Sequence, residues 1–570
     1  MPGFLITNIS SDFCISNYDD KRCVYNEMFY KKWKIEQNTL NKFIDDKIFI
    51  ENNEIIAITE GVILNKSDLL KKYKCSELFD LIIKLRKSNK EFFNEFRGSF
   101  SGAIYDKKRK NWTIYTNHYG DNAIFYYNKN GTVIIASDIN YIITILKKNQ
   151  IKYSLDEKAL YYLLTYSFMG DDSTSVSEIK RLSPGNVIQL TEDGSLEIKE
   201  YYRLCKNKYD LSNWTNAQLI DKLDKLFREA IRLEYEKDIE YGYEHLTDLS
   251  GGLDSRMNAW VACDMGYHNM TNITYCQSGA TDEIVSKQIS KTLNTKHIFY
   301  PLDNAECMMH IDTNVLLTSG LVIYSSITGG KKILEELDPN KFGIEHTGQL
   351  GDVIIGTYLT SPKECFKNTT GGMYTDRLKE KITEKPFDNY QDYEQYMLYV
   401  RGFRGILSSH FIRRNFVEPI SPFLNIELME FCLSMSIEAR IGHKIYFEWV
   451  KKKYPGAAKF VWESRGVSLF APKWKEYLYR IIHNGPNKIL RMLKLEKPKP
   501  TGMNPVDYWY QTNSDLKDFF DNYFEENISN SNISKKIKED MTCMYRNESV
   551  TGKAQVLTVL SIVKQYFSNV

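Results

Sequence analysis

Residues 246–258 read Leu-Thr-Asp-Leu-Ser-Gly-Gly-Leu-Asp-Ser-Arg-Met-Asn, an apolar strand running through two glycines into an amphipathic helix. No other stretch constrains the fold as tightly. A strand that feeds directly into a helix is the first half of a strand–helix–strand unit, and such units build parallel sheets. The junction also has chemical character. The first N–H groups of a helix lack partners within it and carry partial positive charge, so an anion is welcome there. Gly251 and Gly252 let the backbone approach a phosphate without a side chain in the way. The hydroxyls of Ser250 and Ser255 can donate to phosphate oxygens. Asp254 would repel a bare phosphate and fits best with a magnesium ion between them. The bland alternative is a capped helix, with Asp254 or Ser255 as N-cap and the glycines in the preceding turn. The loop is not of the Walker type, since no G-x-x-x-x-G-K-[ST] occurs. Thr328-Gly329-Gly330-Lys331-Lys332 imitates one, but Lys331 lacks the following Ser or Thr, and the stretch reads as a helix start.

The pattern repeats around this junction. Apolar residues at three- and four-residue intervals over 215–236 predict a helix. Strand and helix patterns then alternate through HLTDL, DSRMNAWVACDMGY, NITYC, DEIVSKQISKTLNT and HIFYPL. Upstream the texture differs. RGSFSGAIYD (97–106), NWTIYTN, AIFYYN and TVIIASD (132–138) are short aromatic and β-branched runs separated by turns, a meandering β unit. LDEKALYYLLTYSFMG predicts a helix stopped by Gly170, with buried core as the commoner fate of its apolar run and an interface as the other. LSPGNVIQLTEDGSLEIKEYYRL predicts a hairpin turning at Asp193-Gly194. Beyond Pro386 the chain reads as helical almost to its end, with EKPKPTG (496–502) as a polar connector and NISNSNIS as a surface loop. For 570 residues, two domains are the natural expectation.

Composition excludes several classes. The 75 basic and 73 acidic side chains leave a formal charge of +2, so nothing favours a polyanionic partner, and no nucleic acid is expected. The ten cysteines form no C-x-x-C pair, which argues against a zinc ribbon, a redox motif or a thiolating tRNA enzyme. MPGFLITNIS has no basic leader character, and no apolar run approaches the roughly 18 residues of a membrane helix. A cytoplasmic protein with no membrane association is expected.

Ser-Gly-Gly-Leu-Asp-Ser resembles the pyrophosphate-binding loop of the ATP pyrophosphatases, whose members cleave ATP between the α- and β-phosphates. Other features single out one branch, the glutamine-dependent asparagine synthetases. RGSFSGAIYDKKRKNWTIYTNHYGDNAIFYY resembles their N-terminal half, IIASDINYIITIL their Ala-Ser-Glu segment, and RLSPGNVIQL…EYYRL their Pro-Gly hairpin. Downstream, ITYCQSGATDEIVSKQISKTLNTKH, HTGQLGDVIIGTY (346–358) and VEPISPFLNIELMEFCLSM follow in the family's order. The resemblance implies an N-terminal Ntn-hydrolase-like αββα sandwich over residues 1–205. It implies an adenine-nucleotide α-hydrolase-like (PP-loop) parallel-sheet domain with a helical C-terminal part over 206–570. It further implies ATP and Mg2+ as cofactors. The nucleotide would be bound by Leu249, Ser250, Gly251, Gly252, Leu253, Asp254, Ser255, Thr274 and Gly348, and the metal by Asp254 and Asp352.

The departures bear on chemistry. Pro2 stands where glutamine-using members have a nucleophilic cysteine, and Glu60 precedes Gly61 where an Asn-Gly pair would help bind glutamine. Loss of glutamine hydrolysis is therefore expected, as in the β-lactam synthetases and lasso-peptide cyclases. Gln349 replaces a catalytic glutamate; it cannot act as a base but can orient a carboxylate or an amine. Lys444 lies where the family has a lysine that contacts the leaving pyrophosphate, and a cation there would stabilise developing negative charge. Gln349 and Lys444 are the expected catalytic residues. Arg256, Arg401, Arg404 and Arg440 are weaker candidates for binding anions, and Asp282 and Glu283 read equally as first-turn helix acids. The expected enzyme joins a small-molecule or peptide carboxylate to an amine, with a homodimer as one open assembly. The alternatives are an ammonia-dependent asparagine synthetase and a non-catalytic nucleotide-binding protein.

Overall fold

The computed structural model describes residues 2–10, 13–15, 22–88, 91–170, 172–326, 328–338, 340–359, 372–382, 389–479, 481, 500 and 502–568. The first 200 residues form two antiparallel six-stranded sheets packed face to face. One has the order β10 (Ile179–Arg181), β8 (Phe125–Lys129), β9 (Thr132–Ala136), β1 (Gly3–Thr7), β3 (Trp33–Leu40), β2 (Cys23–Tyr30). The other runs β12 (Leu196–Glu200), β11 (Asn186–Thr191), β7 (Asn111–Thr116), β6 (Gly98–Asp106), β5 (Ile55–Ile63), β4 (Phe49–Glu51).

Strand periodicity explains the layering. Phe4 and Ile6 of β1 and Ile56 and Ile58 of β5 point inward, where Trp33, Trp112 and Tyr105 fill the space between the sheets. The alternate residues of both strands point outward and bury helices. Ile55 and Ala57 cover α1 (Lys66–Tyr73) and α2 (Leu78–Ser88), and Leu5 covers α3 (Ile139–Lys148) and α4 (Glu157–Tyr166). The result is the αββα sandwich that the resemblance implied. The sequence reading passed over α1 and α2, whose short lysine-rich turns look like connectors until Leu69, Leu81 and Ile82 are seen packed on the sheet. The helix α4 stops at Ser167, in the left-handed region at φ 69°, not at Gly170. Gly170 is needed elsewhere, because a Cβ there would lie 2.8 Å from the Tyr162 ring.

The second half is built on a parallel sheet of order β15 (Lys296–Pro301), β14 (Met270–Cys276), β13 (Glu244–Asp248), β16 (Phe342–His346), β17 (Glu418–Ile420). The expectation of an almost wholly helical stretch beyond Pro386 needs correction. Glu418–Ile420 extends the sheet, and Val461–Trp462 pairs with Val467–Ser468 in a small hairpin. A three-residue buried strand leaves no periodicity to detect. The long helix α5 (Asn216–Tyr241) opens with a capping box from Thr215 and Gln218 and closes on Gly242 at φ 76°. Helix α6 (Leu253–Asp264) follows β13, and α7 (Thr281–Leu293) follows β14. Thr328–Glu336 is a helix, as its sequence suggested. In NISNSNIS, residues 527–530 complete the helix Ser514–Asn530, and only the rest is a linker. Most of the EKPKPTG stretch lies outside the described residues.

The two halves share a core. Leu160 and Leu163 of α4 pack with Val556 and Leu557 of the C-terminal helix Val550–Phe567 and with Val315, so the apolar run of α4 is interior. A buried ion pair, Lys47 to Glu418 at 2.8 Å, and the Arg97–Glu427 pair at 2.7 Å also join them. Among the described residues, no helix is long and apolar enough to cross a membrane.

Candidate functional site

The carboxyl ends of β13, β14 and β16 open into a cavity of about 460 Å³, the crevice where ligands sit in open parallel sheets. Of the loop 249–255, every residue except Gly251 lines it. Thr274, Gly348, Gln349 and Asp352 line it too. The stretches at 249–255, 274 and 348–352, far apart in sequence, thus meet in one place.

The capped-helix alternative fails. The N-cap of α6 is Gly252, in extended conformation, with no side-chain cap bond. Ser250 and Ser255 are turned on the loop itself. Ser250 Oγ accepts the Gly252 N–H at 3.1 Å and lies 3.0 Å from Ser255 Oγ, which accepts the Ser250 N–H at 3.1 Å. The two glycines have different reasons. A Cβ at Gly252 would meet only Ser250 Oγ, at 3.0 Å, so this position keeps the backbone open to the cavity. At Gly251 a Cβ would lie 2.9 Å from Cβ of Glu463, and its N–H donates to Asp282 Oδ1 at 2.9 Å. Gly251 is therefore fixed by what packs beneath the loop. Asp282 is a brace for the loop, and so is Arg256, fully buried and donating to the carbonyls of Gly251 (2.9 Å), Ala457 (3.1 Å) and Val461 (2.7 Å). Arg440 is committed to Glu394, Arg401 to the Gly372 carbonyl and Arg404 to Ser183 Oγ. None of these four arginines lines the cavity.

Asp254 and Asp352 form the polar wall. Asp254 Oδ2 accepts the Asp352 N–H at 2.9 Å and Oδ1 accepts the Tyr446 hydroxyl at 2.7 Å. Asp352 Oδ2 accepts the Thr357 hydroxyl at 2.6 Å. Burial, and then the neighbouring Asp352 charge, push the Asp254 carboxyl up to about 7. Two adjacent carboxylates at the wall of a crevice could hold a cation, and their all-oxygen donor set would suit Mg2+. The approach of the two segments needs glycine. A Cβ at Gly348 would lie 2.4 Å from Ser255 N, and one at Gly351 would lie 2.5 Å from Cγ of Asp254. Between them Leu350 is held in the left-handed region at φ 64°, backbone strain of the kind found at functional sites.

The remaining candidates divide. Thr274 donates to the Leu249 carbonyl at 2.6 Å, tying the ends of β13 and β14. Gln349 is anchored through its carbonyl by the Ser421 hydroxyl at 2.9 Å, and its residue faces the cavity. Lys444 is not brought to the site. It begins the helix Lys444–Lys453, is exposed and does not line the cavity. The neighbouring His443 does, in the left-handed region at φ 61°, with Nε2 2.9 Å from the Thr357 hydroxyl. Burial holds its pKa below the ordinary imidazole value. Arg465, like Lys444, does not line the cavity itself; it is paired with Glu476 at 3.4 Å and packs on two rings that do. Its guanidinium sits 4.6 Å from the Phe447 ring and 4.9 Å from the Trp462 ring, both of which line the cavity. Sequence reasoning missed both residues; their signal was weak, a glycine flanking each in Ile-Gly-His-Lys and Ser-Arg-Gly.

In the N-terminal half, the Glu60 carboxylate is buried. It accepts from Thr39 at 2.7 Å and Gln37 at 3.3 Å, and Lys47 lies 3.8 Å away. Its pKa is raised, chiefly by burial.

Comparison with known proteins agrees with this architecture. Residues 49–202 match the family model of the glutamine amidotransferase domain. Asparagine synthetase (glutamine-hydrolyzing) 1 of Bacillus subtilis is 24% identical over 234 residues, covering 40% of this chain and 34% of the relative. Putative asparagine synthetase (glutamine-hydrolyzing) 1 of Methanocaldococcus jannaschii is 22% identical over 412 residues, covering 69% and 66%. The matched part thus spans about a third of the first relative's length. Among solved structures, glutamine phosphoribosylpyrophosphate amidotransferase from B. subtilis, complexed with ADP and GMP, covers 48% of this chain and 77% of its own at 9% identity and a TM-score of 0.23. A likeness that slight adds nothing to the fold described above.

Proposed function

We propose that this asparagine synthetase-like chain is an ATP-dependent carbon–nitrogen ligase that activates a carboxylate as its adenylate and couples it to an amine without hydrolysing glutamine. The observation that carries this reading is the pairing of Asp254 with Asp352 across the wall of the cavity, beside a glycine-lined helix start. ATP would lie with its phosphates against Gly252 and the first turn of α6, whose N-cap supplies no side-chain cap bond. Asp254 and Asp352 would hold Mg2+, whose charge offsets that of the phosphates.

A substrate carboxylate oxygen would attack the α-phosphorus and displace pyrophosphate. The amine nitrogen would then attack the acyl carbon, and AMP would leave as the C–O bond breaks. Arg465, stacked on the cavity-lining Phe447 and Trp462 rings, would supply positive charge for the departing pyrophosphate by exchanging Glu476 for it. His443, held neutral by burial and positioned by Thr357, accepts the proton that the amine loses. Gln349 orients one of the two reactants through hydrogen bonds. Loss of glutaminase function is supported by Glu60, a buried carboxylate where the resemblance calls for a neutral amide donor. We read residues 1–205 as a scaffold and 206–570 as the ligase unit.

The similarity to asparagine synthetases favours aspartate with ammonia as a second reading. The test is product analysis after incubation with Mg-ATP, a panel of carboxylates including aspartate, and ammonium or primary amines. AMP and pyrophosphate formed in equal amounts, only with a carboxylate and not stimulated by glutamine, is the expected result. ADP and phosphate would rule out adenylation in favour of activation by phosphoryl transfer, and no turnover with intact nucleotide binding would rule the reading out in favour of a binding protein.

A further inference from the structure

Away from the cavity, on the face of β13 and β16 covered by α5, three ligand-bearing residues converge. His346 Nε2 lies 2.8 Å and His245 Nδ1 3.1 Å from one oxygen, Oδ2 of Asp238. Their ligand atoms all fall within 4.8 Å of one another, the one such cluster among the described residues. We propose that Asp238, His245 and His346 form a structural site for a zinc-class divalent ion. Two imidazole nitrogens and one carboxylate oxygen suit Zn2+ and disfavour Mg2+ or Ca2+, which prefer oxygen.

The surroundings are those of a metal centre. The other ring nitrogen of His346, Nδ1, lies 3.1 Å from Glu234 Oε2. A carboxylate in that position accepts the remaining ring N–H, fixes the tautomer and aims Nε2 at the metal. Asp238 is oriented in the same way, its Oδ1 accepting the Ile344 N–H at 2.9 Å. The Tyr235 ring stacks on His346 at 3.8 Å and holds its plane. Helix α5 presents Glu234 and Asp238 one turn apart, while the histidines come from adjacent strands, so the ligands stand on rigid elements.

Charge points the same way. Glu234, Asp238, His245 and His346 are at most 4% exposed. The site buries two carboxylates, Glu234 and Asp238, among two imidazoles in the interior. A divalent ion with neutral histidines balances both carboxylates. The closed setting argues for a structural ion, one that ties α5 to the strands whose ends carry the nucleotide loop and the 347–353 segment.

This inference does not rest on the proposed reaction. The test is elemental analysis of the full chain purified without added metal, followed by chelation and reloading with Zn2+ or Co2+ monitored by thermal melting and visible absorption. The expected result is one zinc per chain and a melting temperature lowered by chelation and restored by Zn2+. Co2+ loading should give visible d–d absorption bands. His346→Asn should lose the ion, Glu234→Gln should weaken its binding about 10- to 100-fold, and Asp254→Ala should retain it. Wild-type protein with under a tenth of an equivalent of transition metal, no Zn2+-dependent melting shift and no cobalt bands would overturn the proposal, whether or not the variants fold.

Discussion

Asp254 is asked to do two opposed things. It is partly buried beside Asp352, which favours its neutral form, and it must be ionised to hold a cation. The sign of the pH effect follows. Unfolded, the carboxyl titrates near 4; folded, it titrates at about 7. Between those values the folded state keeps a proton that the unfolded state has lost, so stability falls as pH rises from about 4 to 7 and then levels off. Asp254→Asn should remove that slope in thermal melts run without divalent ions. Mg2+ should raise the melting temperature of wild type at pH 8 and leave the variant unmoved. Lysine and arginine make a second contrast at this scale. Arg465→Ala should cut turnover at least tenfold, whereas Lys444→Ala should leave it near wild type; equal losses would return the role to Lys444. Both aspartates were legible because each sits in a short motif. The packing of Arg465 on the cavity rings was not, because motif spacing cannot say which side chains flank a crevice, and Lys444 faces solvent.

At the scale of elements, the site depends on how closely β13–α6 and the 347–353 segment approach. Gly351 is the contact point, with no room for a Cβ against Asp254. Gly351→Ala should separate the two carboxylates, cost about 1–3 kcal/mol of stability through overpacking, and abolish Mg2+-dependent nucleotide binding. Chemical denaturation beside a nucleotide titration measures both; an intact affinity would show that the approach is not required. The strand–loop–helix identity of 246–264 was plain in the sequence, since strand, paired glycines and helix follow in one short run, but the helix is buried on nearly every side and is not amphipathic as expected. Gly251 was misread. Its demand comes from Glu463, more than two hundred residues away, and no local pattern announces such a contact. The strand Glu418–Ile420 was hidden for a related reason: three buried residues at a sheet edge carry no period.

At the scale of the molecule, the sandwich and the parallel sheet are joined by buried charge as well as by apolar core. Lys47 of the first half bonds Glu418 of the second, with Glu60 close by. Lys47→Met would leave Glu418 without its partner in the interior and should destabilise the chain by about 3–5 kcal/mol. The loss should appear as one cooperative transition in urea; two separate transitions would show that the halves do not share stability. The order of the two architectures was legible from the change in strand and helix texture near residue 213. Their joint core was not, because Leu160 and Leu557 meet only in three dimensions.

The central claim is that Mg2+ and ATP meet at Asp254 and Asp352. Calorimetric titration of the full chain with α,β-methylene ATP, with and without Mg2+, tests it most directly, with Asp352→Asn run beside wild type. We expect wild type to bind about one equivalent only when Mg2+ is present, and the variant to lose at least tenfold in affinity. Binding that is indifferent to both Mg2+ and Asp352 would contradict the account.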